Sequence, residues 1–266
     1  MVEILLPKNN LVVFSVFSNV KKLTKQNNLK ITIMKKKVFK VVLITSAIFI
    51  SFNKADAQKG LQLGFEANPQ ASYLLNKADM DSKLYTGKTA INGHFGVTGQ
   101  YGITEKVGIG LNVLYSFQGD KYEWKGEERL KSLQYLKIPL MLTLNLPMGD
   151  KMVFVGKIGP QLSILADARM YDNNKKIISS NYREAFVSTD FGGMISAGIG
   201  YKLNEHFTID GAVRGDVGFI DAEDHNFTKN IHNPSDLITP SPASSPRSAT
   251  YNMTVGLTFG VRYTFL

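Results

Sequence analysis

Residues 250–266 read TYNMTVGLTFGVRYTFL. Taken alternately, Tyr251, Met253, Val255, Leu257, Phe259, Val261, Tyr263 and Phe265 fall on one side, and Asn252, Thr254, Gly256, Thr258, Gly260, Arg262 and Thr264 on the other. Side chains of a strand alternate between faces, so this is one strand with an apolar face and a polar or small face. It is about three times the usual strand length of roughly five or six residues. Its apolar face starts and ends in aromatics. That pattern predicts a strand crossing a bilayer, with an apolar band between aromatic girdles.

Seven earlier stretches repeat the pattern. They are about Gly60 to Tyr73, Ala90 to Thr104, Lys106 to Gln118, Leu130 to Leu146, Met152 to Ala166, Thr189 to Leu203 and Phe207 to Phe219. In the third, Val107, Ile109, Leu111, Val113, Tyr115 and Phe117 oppose Gly108, Gly110, Asn112, Ser116 and Gln118. In the fourth, Leu136 to Leu146 alternate cleanly, but Ser132 and Gln134 fall on the apolar parity. Either they stand above the membrane or a bulge shifts the register. Pro139 cannot donate to a ladder and marks an irregularity.

The connections alternate in length. Thr104 to Lys106, Pro147 to Asp150 and Asn204 to His206 are tight turns. About Leu74 to Thr89, Gly119 to Arg129, Asp167 to Val187 and Ile220 to Ala249 are long, the last with a Ser/Pro stretch from Pro234 to Pro246. The expected fold is all-β: an eight-stranded antiparallel transmembrane β-barrel with short periplasmic turns and long extracellular loops. Both termini then lie on the periplasmic side.

The formal charge of +9 does not belong to this barrel. Residues 1–57 hold ten of the 31 basic side chains and two of the 22 acidic ones, leaving 21 against 20 beyond them. A nucleic-acid partner therefore has no footing in the charge. Met34-Lys35-Lys36-Lys37, the apolar run to Phe52 and Ala55-Asp56-Ala57 make a signal peptide over 34–57, with a mature start at Gln58. Residues 1–33 precede it and read as an upstream mis-assigned extension. Residues 58–266 are then the barrel domain. There is no cysteine, so no disulfide framework and no thiolate metal site.

Glu66, Lys137, Lys157, Asp210, Arg214, Asp216 and Arg262 all fall on polar faces. A basic residue at the lipid midplane costs about 2–4 kcal/mol, so these groups point into the lumen. An eight-stranded barrel is just wide enough to be filled by side chains. Charges held there pair with each other or with water. If the last two strands pair around the last loop, Asp210 and Arg262 lie at similar, periplasm-proximal depth and Arg214 further up near Asp216, and the four are expected to form linked ion pairs that plug the barrel. A pore lined by the same residues is the alternative.

Tyr135-Leu136-Lys137-Ile138-Pro139-Leu140 resembles the YLxIPL signature of the PorT-like outer-membrane β-barrel family of Bacteroidetes. Lys157 to Gln161, and Asp190-Phe191-Gly192-Gly193 through Gly198-Ile199-Gly200-Tyr201, are similar to the glycine-rich strands that follow it. The resemblance implies a porin-like outer-membrane barrel, and in one member a link to protein secretion. It also implies recognition by the barrel-assembly machinery through a terminal aromatic; here Phe265 is penultimate and Leu266 last.

Three functions compete. One is a non-enzymatic barrel with a structural, loop-displaying or secretion-accessory role, whose partners are outer-membrane lipid, the assembly machinery and a secretion or surface partner met through the loops. The second is a narrow porin-like channel. The third is a lipid-modifying barrel enzyme, for which His94 is the one inward strand histidine, with no nucleophile set beside it by the sequence. No cofactor or metal is expected. Asp221, Glu223, Asp224 and His225 read as a solvated acidic loop more readily than as a cation site.

Overall fold

The computed structural model describes residues 60–81, 85–124, 127–172, 177–179, 182–224 and 248–265. The extension over 1–33, the signal peptide over 34–57, the Ser/Pro stretch, His225 and Leu266 lie outside them. Ten strands are present among the described residues: β1 Leu61–Asn76, β2 Tyr85–Lys88, β3 Ala90–Gly102, β4 Val107–Trp124, β5 Glu127–Met148, β6 Met152–Tyr171, β7 Ile177–Ser179, β8 Thr189–Lys202, β9 Phe207–Gly218 and β10 Thr250–Thr264. Eight form a ring of antiparallel pairs, β1-β3-β4-β5-β6-β8-β9-β10, and β10 returns to β1. The ring leaves no open edge in the wall, which is what a bilayer without hydrogen-bonding partners requires. No helix among the described residues is long and apolar enough to cross a membrane; the strands do so.

Burial is inverted relative to a water-soluble domain. Ile91 is 77% exposed and Phe65 66%, while Lys137 and Arg214 are each 2% exposed. The apolar parity faces outward on every ring strand and the polar parity faces in. Phe207, Tyr263 and Phe265 pack edge to face at the short-turn end. Phe95, Tyr115 and Phe117 cluster on the outer half.

The tight turns are held locally. Asn204 Oδ1 accepts from the backbone N–H of His206 and Phe207, and Thr104 Oγ1 accepts from that of Val107. Gly149 supplies the left-handed backbone, φ +83°, between β5 and β6.

Two expectations about the long connections are corrected. The stretch from Gly119 to Arg129 is not a loop: β4 runs on to Trp124 and β5 starts at Glu127. The stretch from Leu74 to Thr89 likewise contains the end of β1, a helical turn at Lys77–Met80 (α1) and β2. These segments alternate polar and apolar residues less regularly because they stand beyond the lipid, where neither face is selected for hydrocarbon. β2 joins β4, and β7 joins β6, so the barrel wall continues outward as a small sheet. Gly119, φ +150°, sits where β4 leaves the wall; a Cβ there would lie 1.9 Å from the Lys131 carbonyl oxygen.

The ambiguity on β5 resolves in a specific way. The register slips on β6, where Ala166 lacks a partner between the pairs Tyr135–Leu165 and Gln134–Asp167. Parity on β5 continues, so Ser132 and Gln134 do face outward, with Gln134 accepting from the Tyr115 hydroxyl. On β6 the bulge flips the inward set from Val153, Val155 and Leu165 to Ala168 and Met170. Pro139 is accommodated within β5: the β4–β5 ladder skips from Leu111–Leu140 to Leu114–Lys137. Similar gaps flank Pro160 on β6 and Pro69 on β1, each where an N–H is missing.

Candidate functional site

The barrel interior is the candidate site, and it has three levels. At mid-height Arg214 on β9 uses its whole guanidinium. Nε donates to Asp216 Oδ1 at 2.9 Å, Nη1 to Glu66 Oε1 at 2.9 Å and Nη2 to Gln161 Oε1 at 3.0 Å. Those partners sit on β9, β1 and β6, so one side chain crosses the lumen. Asp216 Oδ2 also accepts from Lys137 Nζ at 3.1 Å and from Thr254 Oγ1 at 2.9 Å. His94 brings Nε2 to 3.6 Å from Glu66, and its Nδ1 meets Gln70 Oε1 at 3.1 Å.

Nearer the periplasm, Arg262 Nε donates to Asp210 Oδ1 at 2.7 Å and Nη1 to Gln62 Oε1 at 2.8 Å. Glycines make room for the pair. A Cβ on Gly260 would stand 2.9 Å from Asp210 Oδ2, and one on Gly200 3.5 Å from Arg262 Nη2.

The expected quartet is therefore divided. Asp210 pairs with Arg262 and Asp216 with Arg214, but no ion pair links the two sets among the described residues. Arg214 turns to Glu66 instead, and Asp216 to Lys137. The reason is depth: Asp210 lies opposite Gly260 on β10, whereas Asp216 lies opposite Thr254, six residues along each strand. Lys157 is half-buried between the sets; Glu66 and then Asp210 attract it most strongly, without a direct pair.

The third level lies toward the long loops, and its chemistry was not read from the sequence. Asn252 Nδ2 donates to Asp190 Oδ2 at 2.9 Å and to the Tyr135 hydroxyl at 3.3 Å. Above them Leu74, Tyr122, Leu133, Leu165, Ala168, Met170, Tyr182, Phe186 and Ala222 form an apolar cluster. Tyr182 opens a 3-10 turn, Tyr182–Ala185, and meets Phe186, the residue after the turn, edge to face at 5.3 Å. Phe186 bridges to Glu223, and Val187 N–H donates to the Ala222 carbonyl, so two loops close over the barrel mouth. Parity alone would have found Asp190 and Tyr135. Nothing periodic marks the loop residues.

Other candidates resolve without a site. Asp221 Oδ1 accepts from the N–H groups of Glu223 and Thr250, so it clamps the loop. No group of three metal-ligating side chains capable of holding an ion occurs among the described residues. Ser116 faces His94 across β3 and β4, but Gln70 donates to it, and both side chains are buried in the lumen away from lipid.

Residues 42–265 match the family described as outer membrane protein beta-barrel domain. Among solved structures, OprG from Pseudomonas aeruginosa is 16% identical, over 78% of this chain and 96% of that one, with a TM-score of 0.43. Neisserial surface protein A is 11% identical, over 76% and 96%, with a TM-score of 0.40. Ail, the attachment invasion locus protein of Yersinia pestis, is 11% identical, over 78% and 100%, with a TM-score of 0.37. No curated protein matches the chain.

Proposed function

The chain belongs to the outer membrane protein beta-barrel domain family and resides in the cell outer membrane, and from that premise we propose a non-enzymatic barrel with a side-chain-filled lumen. It carries its long loops at the cell surface or serves protein secretion as an accessory. The observation that carries the reading is Arg214, whose guanidinium ties β9 to β1 and β6 across the lumen. A group bonded on three strands is a strut; lining a pore would leave it free to face a moving solute. Planar-bilayer recording of the purified protein tests this. Silence is expected, and reproducible single-channel openings would put the narrow porin-like channel in its place.

We further infer a position in the PorT-like group of Bacteroidetes. Support comes from the residues of the YLKIPL stretch: Tyr135 and Lys137 face inward onto Asn252 and Asp216, while Ile138 and Leu140 face lipid. The motif thus combines lumen contacts with a lipid face. Partners follow from this reading as lipid, the barrel-assembly machinery and a secretion or surface partner at the loops. Deleting the gene and comparing secreted and outer-membrane proteomes tests the accessory role; an unchanged secreted proteome leaves loop display.

A further inference from the structure

Between the charged middle and the apolar mouth lies a cavity of about 10 Å³, lined in part by Gln118, Lys137, Asp190 and Asn252. Two acceptors of residues lining it, Asp190 Oδ1 and Gln118 Oε1, have no donor in hydrogen-bond geometry among the described residues, although the backbone at Ile220 and Phe191 stands beside the Asp190 carboxyl. Both residues are only 3% exposed. Asp190 Oδ2 is already taken by Asn252. On the other side, the Lys137 ammonium has three N–H groups and gives one to Asp216. The residues lining the cavity therefore carry two unmatched acceptors and an ammonium with donors to spare.

We infer that this cavity binds a single water molecule, which donates to Asp190 Oδ1 and Gln118 Oε1 and accepts from Lys137 Nζ. Three observations select water. The volume is about that of one water-sized probe, roughly 10–15 Å³ at the least. The occupant must both donate and accept, which a metal cation or an ammonium ion cannot do. The Lys137 ammonium in the cavity wall also repels a cation. The water joins Asp190, Asn252 and Tyr135 beneath the mouth to the chain Lys137–Asp216–Arg214–Glu66. Buried polar groups then form one network from mid-barrel to the cap.

The inference rests on the filled-lumen reading, but conductance tests that reading and crystallography tests this one. A high-resolution crystal structure of the full protein in lipid should show one solvent peak about 2.7–3.2 Å from all three atoms. A rubidium soak should add no anomalous signal there. Gln118→Met keeps the length and removes the acceptor, and should lower the occupancy of the peak several-fold. A rubidium peak at the position would overturn the inference in favour of a cation. Direct protein donation to Asp190 Oδ1 with the cavity closed would overturn it too, as would a peak unchanged in Gln118→Met. If that variant does not fold, the wild-type structure and the soak decide by themselves.

Discussion

Around Arg214 the barrel interior is held by charge, whereas around Tyr182 it is held by apolar packing. The first region is built wholly from strands, at inward positions on the opposite parity from the hydrocarbon-facing row. Its acids and bases are fixed by the ring and paired across it. The second lies beyond the bulge at Ala166, where the wall has cleared the lipid and loop residues can fold back over it. There water borders the structure, and the hydrophobic effect works as it does in a soluble core. The difference shows that one barrel can close its two levels by unrelated means, and that each should fail in its own way.

The largest expected effect is at the strut. Arg214→Ala strands Glu66 in the lumen and leaves Asp216 to Lys137 and Thr254, at a cost of about 3–5 kcal/mol. Removing both charges of the broken pair, as Arg214→Met with Glu66→Gln, keeps the Asp216–Lys137 pair and should recover most of the loss, measured as urea unfolding in lipid vesicles. A double variant as unstable as the single one would show that packing, not charge, holds this level.

Arg262→Ala should cost less, about 3 kcal/mol, because the acid it strands, Asp210, lies nearer the periplasmic opening. Arg262→Ala with Asp210→Asn should be more stable than Arg262→Ala alone. Because the two ion-pair sets are separate, the Arg214 and Arg262 losses should add within about 0.5 kcal/mol. Strong non-additivity would restore the linked quartet.

At the mouth, Leu133→Ala should cost about 2–3 kcal/mol, toward the lower end of the usual Leu→Ala range because a cluster bordering loops can relax. Unlike the strut variants, it should expose the loop around Tyr182 to added protease before the ring unfolds. Simultaneous loss of loop and ring would mean that the mouth and the middle form one cooperative unit.

The same division explains what could be read from the chain. The ring was legible because lipid on one side and a narrow lumen on the other impose a strict two-residue period on every strand. Glu66, Lys137, Arg214 and Arg262 announce their direction by parity alone. The depth of Asp210 beside Arg262, and of Arg214 beside Asp216, also followed from the β9–β10 hairpin; the further partners Glu66 and Lys137, on strands distant in sequence, did not. The bulge at Ala166 was not read: Ser132 and Gln134, on the neighbouring strand, keep the outward parity of β5 beyond the lipid. The mouth was hidden altogether, since Tyr182, Phe186 and Ala222 follow no period and come together through loops.

A third set of charges gives the smallest prediction and the sharpest contrast with the lumen. Lys88, Lys121, Glu123 and Glu128 pair on the outward sheet beyond the aromatic girdle. The residue types are those of the strut, but water replaces protein around them. Hydrogen bonds from Lys88 and then Lys121 hold the Glu128 carboxyl below its ordinary value of 4.5. A depressed carboxylate stabilises the fold above the unfolded value and loses that contribution as pH falls through the folded one. The pH dependence of that contribution is therefore confined to acid below about 4.5, and at neutral pH it is present in full. Lys88→Ala should move the Glu128 titration, followed by NMR, back toward 4.5 with only a small loss in the urea midpoint at pH 7. Exposed pairs are screened by salt and lose side-chain entropy in forming, so removing one strands nothing. A midpoint shift as large as that of Arg262→Ala would mean that the sheet is buried against something in the intact outer membrane.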